Sequence, residues 1–193
     1  MSFIREIDPA HATDDLRAAY NELERRRGKV ASIMKVHSLR PSALRAHLAL
    51  YMDLMFAPGG LTRRQRELIA VTVSRENDCA YCIAHHREAM SFYIHDARLL
   101  DVIARGVDDS SLNAADRALR RYAVKLTGMP DRVEERDVAV LRAAGFADED
   151  ILLANLIVAY FNFVNRIALG LGVTFDEAEM RGYRSGGTNG RTD

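Results

Sequence analysis

Apolar positions recur at three- and four-residue spacing along nearly the whole chain. Leu16, Ala19, Tyr20 and Leu23 form the first such row, behind Thr13 and Asp14 as candidate caps. A short segment around "VASIMKVHS" follows. Pro41 then suits the first turn of another helix, with Leu44, Leu48, Tyr51 and Met55 in line. "APGG" (57–60) ends it, Thr62 caps a helix through "RRQRELIAVTVSRE", and Asn77 and Asp78 make a tight break before a further helix begins at Cys79. Gly106, Gly128 with Pro130, and Gly145 separate helical segments near 96–105, 114–127 and 134–144. The last long helix follows "FADED", with Asp148 as its cap. No segment alternates apolar and polar residues long enough to demand a strand. The pattern therefore predicts an all-α, single-domain protein over residues 1–181. The end, "GYRSGGTNGRTD", is rich in Gly, Ser, Thr and Asn and predicts a mobile tail over 182–193.

Composition narrows the function. The chain has 193 residues, 48% hydrophobic and 28% charged, with zero formal net charge. A phosphate-binding surface needs a surplus of Lys and Arg, so a nucleic-acid partner is not expected. The locally basic "ERRRGK" (24–29) reads as a solvated helix end, where cations suit the dipole. The most apolar stretch, 151–173, is interrupted by Asn155, Asn162, Asn165 and Arg166, and reads as a buried helix instead of a membrane span. Its polar residues are expected to hydrogen-bond inside the fold or across a subunit interface. A helix apolar on all sides needs cover on all sides, which oligomerisation would supply. The N-terminus has no secretory pattern, so a cytoplasmic location is expected.

Against that background "NDCAYCIAHH" (77–86) stands out, because it holds both cysteines. In a reducing compartment a Cys-x-x-Cys pair points to metal or redox chemistry. On a helix turning about 100° per residue, Cys79, Cys82 and His86 share a face and His85 points away from it. Helical i, i+3 α-carbons lie about 5 Å apart, a span that a disulfide bridges. With Asp78 as N-cap, Cys79 would sit in the first turn and Cys82 at the start of the second, where free amides and the dipole favour a thiolate. His86, one turn after Cys82, can take its proton. If 62–76 and 79–93 form an antiparallel hairpin, Glu67 comes level with His86. A carboxylate among Leu68, Ile69, Ala70 and Val71 needs such a partner. The dipole favours Cys79 as the reactive sulfur and His86 favours Cys82; generic helix geometry leaves this open. A zinc site from Cys79, Cys82, His85 and His86 is disfavoured because four ligands within eight helical residues do not converge. His37, His47 and His95 carry no usable pattern, and Tyr81 suits either the access path or the core.

The arrangement Glu67, Cys79, Cys82, His86, together with "LTRRQRELIAVTVSRENDCAYCIAHH", resembles the alkyl hydroperoxidase D family of the carboxymuconolactone decarboxylase-like superfamily. The late string "NFVNRIALGLGV" is similar to its peroxidase-related subgroup. The resemblance spans most of residues 8–175, with the thiol core at about 40–125. It implies an all-α fold assembling as trimers or hexamers, and a thiol peroxidase without metal or other cofactor. In that cycle Cys82 attacks the peroxide and becomes a sulfenic acid. Cys79 protonates the leaving group and closes a Cys79–Cys82 disulfide, and Glu67 and His86 relay protons. The implied partners are hydrogen peroxide or an alkyl hydroperoxide and an external dithiol, a lipoyl carrier or a thioredoxin-like protein. One departure is visible: the best-known members carry a histidine between the cysteines, where this chain has Tyr81. The alternatives are a disulfide oxidoreductase or redox sensor with weak peroxidase activity, and a non-redox decarboxylase-like protein.

Overall fold

The computed structural model describes residues 2–106 and 110–180; the 182–193 tail expected to be mobile lies outside them. Ten α-helices follow one another among the described residues, with no strand. They are α1 (Asp14–Arg27), α2 (Ser32–Lys35), α3 (Pro41–Phe56), α4 (Arg63–Glu76), α5 (Ala80–Ser91), α6 (Ala97–Arg105), α7 (Ala114–Gly128), α8 (Glu135–Ala143), α9 (Asp148–Gly170) and α10 (Glu177–Met180). The predicted punctuation holds to within a residue or two. Gly28, Gly106 and Gly145 take left-handed φ values of 87°, 70° and 95°, which glycine adopts without penalty, and each lies just past a helix.

α4 is the hub because its stretch from Arg66 to Ser74 is buried on every side. Leu68, Ile69, Ala70, Val71 and Val73 are all fully buried. Such a helix must be packed on each face, and α5, α7, α9 and α6 surround it. One core cluster joins α4 to α1, α3, α7 and α9, and a smaller one of Leu68, Val71, Met90, Leu100 and Ile103 joins it to α5 and α6. Thr62 starts α4 with a reciprocal cap: its hydroxyl accepts from the Gln65 amide at 3.2 Å, and Gln65 Oε1 accepts from the Thr62 amide at 3.0 Å. α9 begins one residue earlier than expected. Ala147 is its N-cap, Asp148 its first residue, and Asp150 takes the Ala147 N–H at 3.2 Å.

α9 runs for 23 residues, and an 18-residue stretch of it has a mean hydropathy of 1.6, long and apolar enough to cross a membrane, yet half of that stretch is buried within the fold. It acts as the second core helix. Its asparagines bond inside the fold. Asn77, in the α4–α5 turn, donates to Asn162 Oδ1 and Asn165 Oδ1, both at 3.0 Å. Asn165 donates to Ser74 Oγ at 3.2 Å, Asn162 to Thr127 Oγ1 at 3.2 Å, and Arg166 to the Asn162 carbonyl at 2.9 Å. These bonds latch the α4–α5 turn to α9 and so fix where the thiol helix starts.

Candidate active site

α4 and α5 form the expected hairpin, and Asn77 and Asp78 make its turn. Its start differs in one respect. Asp78 is not the N-cap: it takes a left-handed φ of 51° and pairs with Arg75, which leaves Cys79 at the cap position and Cys82 in the first turn. The Asp78 amide donates to the Arg75 carbonyl at 3.0 Å and the Cys79 amide to the Ser74 carbonyl at 2.9 Å, closing the turn around a left-handed residue at 78. Both cysteines are reduced and buried.

The two thiols act as one unit. Cys79 is drawn below the ordinary thiol value, first by the Cys82 thiol that donates toward it, against the opposing effect of burial. Cys82 is pushed up by that same partnership and by burial. The pair thus gives up its first proton readily and holds its second, as coupled sites do. The side chains of Asn165 and Ser74 lie at the sulfurs, and both favour a thiolate there.

Glu67 meets His86 as the hairpin register predicts: His86 Nδ1 donates to Glu67 Oε2 at 2.7 Å. Glu67 is fully buried and also carries an ion pair with Arg63, one turn earlier on α4. Burial alone would raise the carboxyl pKa, but Arg63 and His86 outweigh it and hold the carboxyl below its usual value. An ionised Glu67 accepting from Nδ1 leaves His86 Nε2 as the basic nitrogen. Among the described residues, no hydrogen bond joins His86 to Cys82. What they share is a cavity of about 340 Å³. Its walls are largely apolar, with Leu23, Ile33, Phe92, Phe161 and Val164 among them. Cys82 borders this cavity, whereas Cys79 borders a separate cleft beside Phe3 and Val173. The two cysteines thus line different cavities, a distinction that helix geometry alone does not make.

Two expectations are corrected by the packing, and one group without a sequence pattern finds its place. His85 does not point away, because it lines the same cavity, stacked on Tyr81 with ring centroids 4.1 Å apart and with Nδ1 donating to the Tyr81 carbonyl at 2.7 Å. Arg27 is not part of a solvated helix end; it is buried, with its guanidinium over the rings of Phe56 and Tyr51. His37 and His47, unassigned from sequence, are joined to Tyr160 in a hydrogen-bonded chain at the cavity. Tyr81 itself is a structural tie. It donates to Glu179 Oε1 at 2.8 Å and accepts from the Ile33 amide at 3.2 Å, and Glu179 binds the Ser32 amide at 2.7 Å, so α10 is held across the start of α2. Among the described residues, no three His, Cys, Asp or Glu side chains group as metal ligands would.

Sequence reasoning missed Arg63, Ser74, Tyr160 and the two histidines. Arg63 was legible, because an Arg four residues before a Glu on one helix is a standard ion-pair spacing. His47, in the middle of the apolar row of α3, was also a signal.

Comparison with known proteins agrees with this architecture. Residues 41–123, which contain Glu67, Cys79, Cys82 and His86, match the carboxymuconolactone decarboxylase family. The alkylhydroperoxidase core of an uncharacterized peroxidase-related protein from Ralstonia eutropha JMP134 superposes with a TM-score of 0.83 at 30% identity, covering 93% of this chain and 94% of that one. The chain belongs to the alkylhydroperoxidase D-like group of the carboxymuconolactone decarboxylase superfamily. A second member of the group, an uncharacterized peroxidase-related protein from Silicibacter sp. TM1040, gives a TM-score of 0.83 at 28% identity, with 93% and 94% covered. The debrominase Bmp8 shares the fold at a TM-score of 0.76 and 17% identity, over 90% of this chain and 92% of that one. No curated protein matches the chain. The all-α, alkylhydroperoxidase D-like fold expected from sequence is therefore the observed one.

Proposed function

We propose that the protein is a thiol peroxidase that reduces small organic hydroperoxides, with Cys82 as the attacking sulfur. One observation carries the reading: of the two coupled sulfurs, Cys82 opens to the apolar cavity that also holds the Glu67-oriented His86. Cys79 and Cys82 share one proton once His86 has taken the other. Moving the shared proton onto Cys79 makes Cys82 the thiolate. That thiolate attacks the terminal oxygen of ROOH, the O–O bond breaks, and Cys82 becomes a sulfenic acid while RO⁻ leaves. The proton held by His86 neutralises RO⁻. Cys79 then attacks the sulfenic sulfur, water leaves, and a Cys79–Cys82 disulfide forms. An external dithiol, from a lipoyl carrier or a thioredoxin-like protein, restores the pair. The sum is two thiols plus ROOH giving disulfide, ROH and water.

The exposed row Leu152, Leu156, Ala159 and Phe163 on α9 supports self-association; assembly as a trimer or hexamer and a cytoplasmic location are further parts of the proposal. A second reading draws on the cavity, which is far larger than hydrogen peroxide requires: the dithiol reduces an organic substrate or a disulfide other than a peroxide. The two readings separate in one assay. Reduced protein, an excess of small dithiol and either cumene hydroperoxide or hydrogen peroxide are mixed, and peroxide loss is followed. Consumption of both, faster for cumene hydroperoxide, is expected. No consumption, with disulfide exchange intact, would replace the peroxidase with the second reading.

A further inference from the structure

Tyr160, His47 and His37 form a chain whose proton positions are fixed from one end. His37 Nδ1 lies 3.0 Å from the Ile33 carbonyl oxygen. A carbonyl only accepts, so Nδ1 carries the hydrogen, and in a neutral ring His37 Nε2 is then an acceptor. His47 Nδ1, 3.2 Å away, must donate to it. That leaves His47 Nε2 as an acceptor, and Tyr160, 2.7 Å from it, must donate. Both rings are neutral at neutral pH: burial lowers His37, and burial with His37 beside it lowers His47 to about 3. Burial also keeps Tyr160 protonated, by raising its pKa well above the usual phenol value. The Tyr160 hydrogen is therefore committed to His47. Tyr160 and His47 line the same cavity as Cys82, and Tyr160 is close enough for a Cys82 thiolate to disfavour its ionisation.

We propose that this tautomer lock makes the Tyr160 oxygen a hydrogen-bond acceptor toward the cavity, selecting small apolar organic molecules that carry an O–H donor. On the thiol-peroxidase reading, on which this second clause rests, Tyr160 holds the terminal O–H of the hydroperoxide and presents that oxygen to Cys82. Tyr160 is then a specificity-determining residue, and His47 and His37 act through it as positioning residues. An ether or ketone of the same shape has no hydrogen to offer and meets lone pair against lone pair.

The test is binding, not turnover. Reduced protein is titrated by NMR with cumyl alcohol and with cumyl methyl ether, in wild type, Tyr160→Phe and His37→Leu. The alcohol is expected to bind about five- to tenfold tighter than the ether in wild type, the worth of one net hydrogen bond. Tyr160→Phe removes the acceptor and brings the ratio close to one. His37→Leu leaves the acceptor in place but frees His47 to carry its hydrogen on Nε2. Tyr160 can then turn its own hydrogen to the cavity, and the preference narrows or shifts to the ether. A merely structural role for His37 would not change that ratio. Equal binding or no binding of both probes in wild type overturns the proposal, as does a Tyr160→Phe protein that still prefers the alcohol. Wild-type preference in His37→Leu overturns the lock; should that variant not fold, Tyr160→Phe decides alone. Because no peroxide is used, a protein that binds as expected but fails to consume hydroperoxide contradicts the peroxidase reading and not this one.

Discussion

Two hydrogen-bonded systems border the cavity, and they are built on opposite electrostatics. Arg63, Glu67 and His86 form a charged group around a carboxylate with no exposed surface. Tyr160, His47 and His37 form a neutral chain in which burial keeps every ring uncharged. In the first, opposite charges hold one another ionised and leave a basic nitrogen free. In the second, hydrogen bonds alone fix which atoms donate and which accept. On the proposed reading the cavity takes a proton from a thiol and orients an uncharged ligand, and so has use for one of each.

The charged group is broken most severely by removing its centre. Glu67→Ala leaves the half-buried Arg63 cation without its carboxylate, and chemical denaturation is expected to show a loss of about 3 kcal/mol. Replacing Arg63 by Met together with Glu67 by Leu should recover much of that stability without restoring His86 orientation. This would separate what the pair does for the fold from what it does for the thiol.

A pH series distinguishes the two systems next. His47 has a folded-state pKa of about 3, below the ordinary value near 6.5. From about pH 6.5 downward the unfolded chain gains a proton that the folded chain refuses. Stability therefore falls by up to about 1.4 kcal/mol per pH unit, and continues to fall until the folded pKa is reached. His37 and His85, also lowered by burial, add to the slope in the same direction. Glu67 is lowered too, but from a carboxyl reference. Its contribution is whole above about pH 4.3 and is lost only as pH falls through its folded value. Between pH 6.5 and 5 the neutral chain and His85 should respond, and Glu67 should not. Denaturation midpoints of wild type and His47→Leu over that range check this; the variant should show the shallower slope.

Smaller effects belong to the residues that hold both systems in place. Asn165→Ala removes a fully buried amide that ties α9 to Asn77 and Ser74, with an expected cost of about 1–3 kcal/mol in thermal or chemical unfolding. It should also slow alkylation of the thiols, since the amide favours the thiolate. Tyr81→Phe loses its bonds to Glu179 and Ile33 and should cost about 1 kcal/mol, with faster proteolysis near α10 as the readout.

How far the sequence carried the site follows the same division. The charged group was legible because its parts lie in one hairpin, where register follows from helical rise: Glu67 and His86 could be placed level by counting from the turn. The thiol spacing was legible for the same reason. The neutral chain was not, because His37, His47 and Tyr160 come from the α2–α3 turn, α3 and α9, and no local pattern says which faces of those helices meet. The role of Asp78 was misread at the level of single-residue backbone geometry, where an aspartate suits a cap and a left-handed turn equally well. His85 was misplaced by treating a face of a helix as the whole of its environment. A cavity wide enough to reach around α5 brings two faces into one site.

The central claim is that Cys82, and not the more readily ionised Cys79, meets the peroxide. Sulfenic acid trapping tests it directly. Reduced Cys79→Ser and Cys82→Ser proteins are exposed to one equivalent of cumene hydroperoxide with a cyclic dione probe, and adducts are mapped by mass spectrometry. The account predicts an adduct at Cys82 in Cys79→Ser and none in Cys82→Ser. An adduct at Cys79 in Cys82→Ser, with none in the other variant, would contradict it.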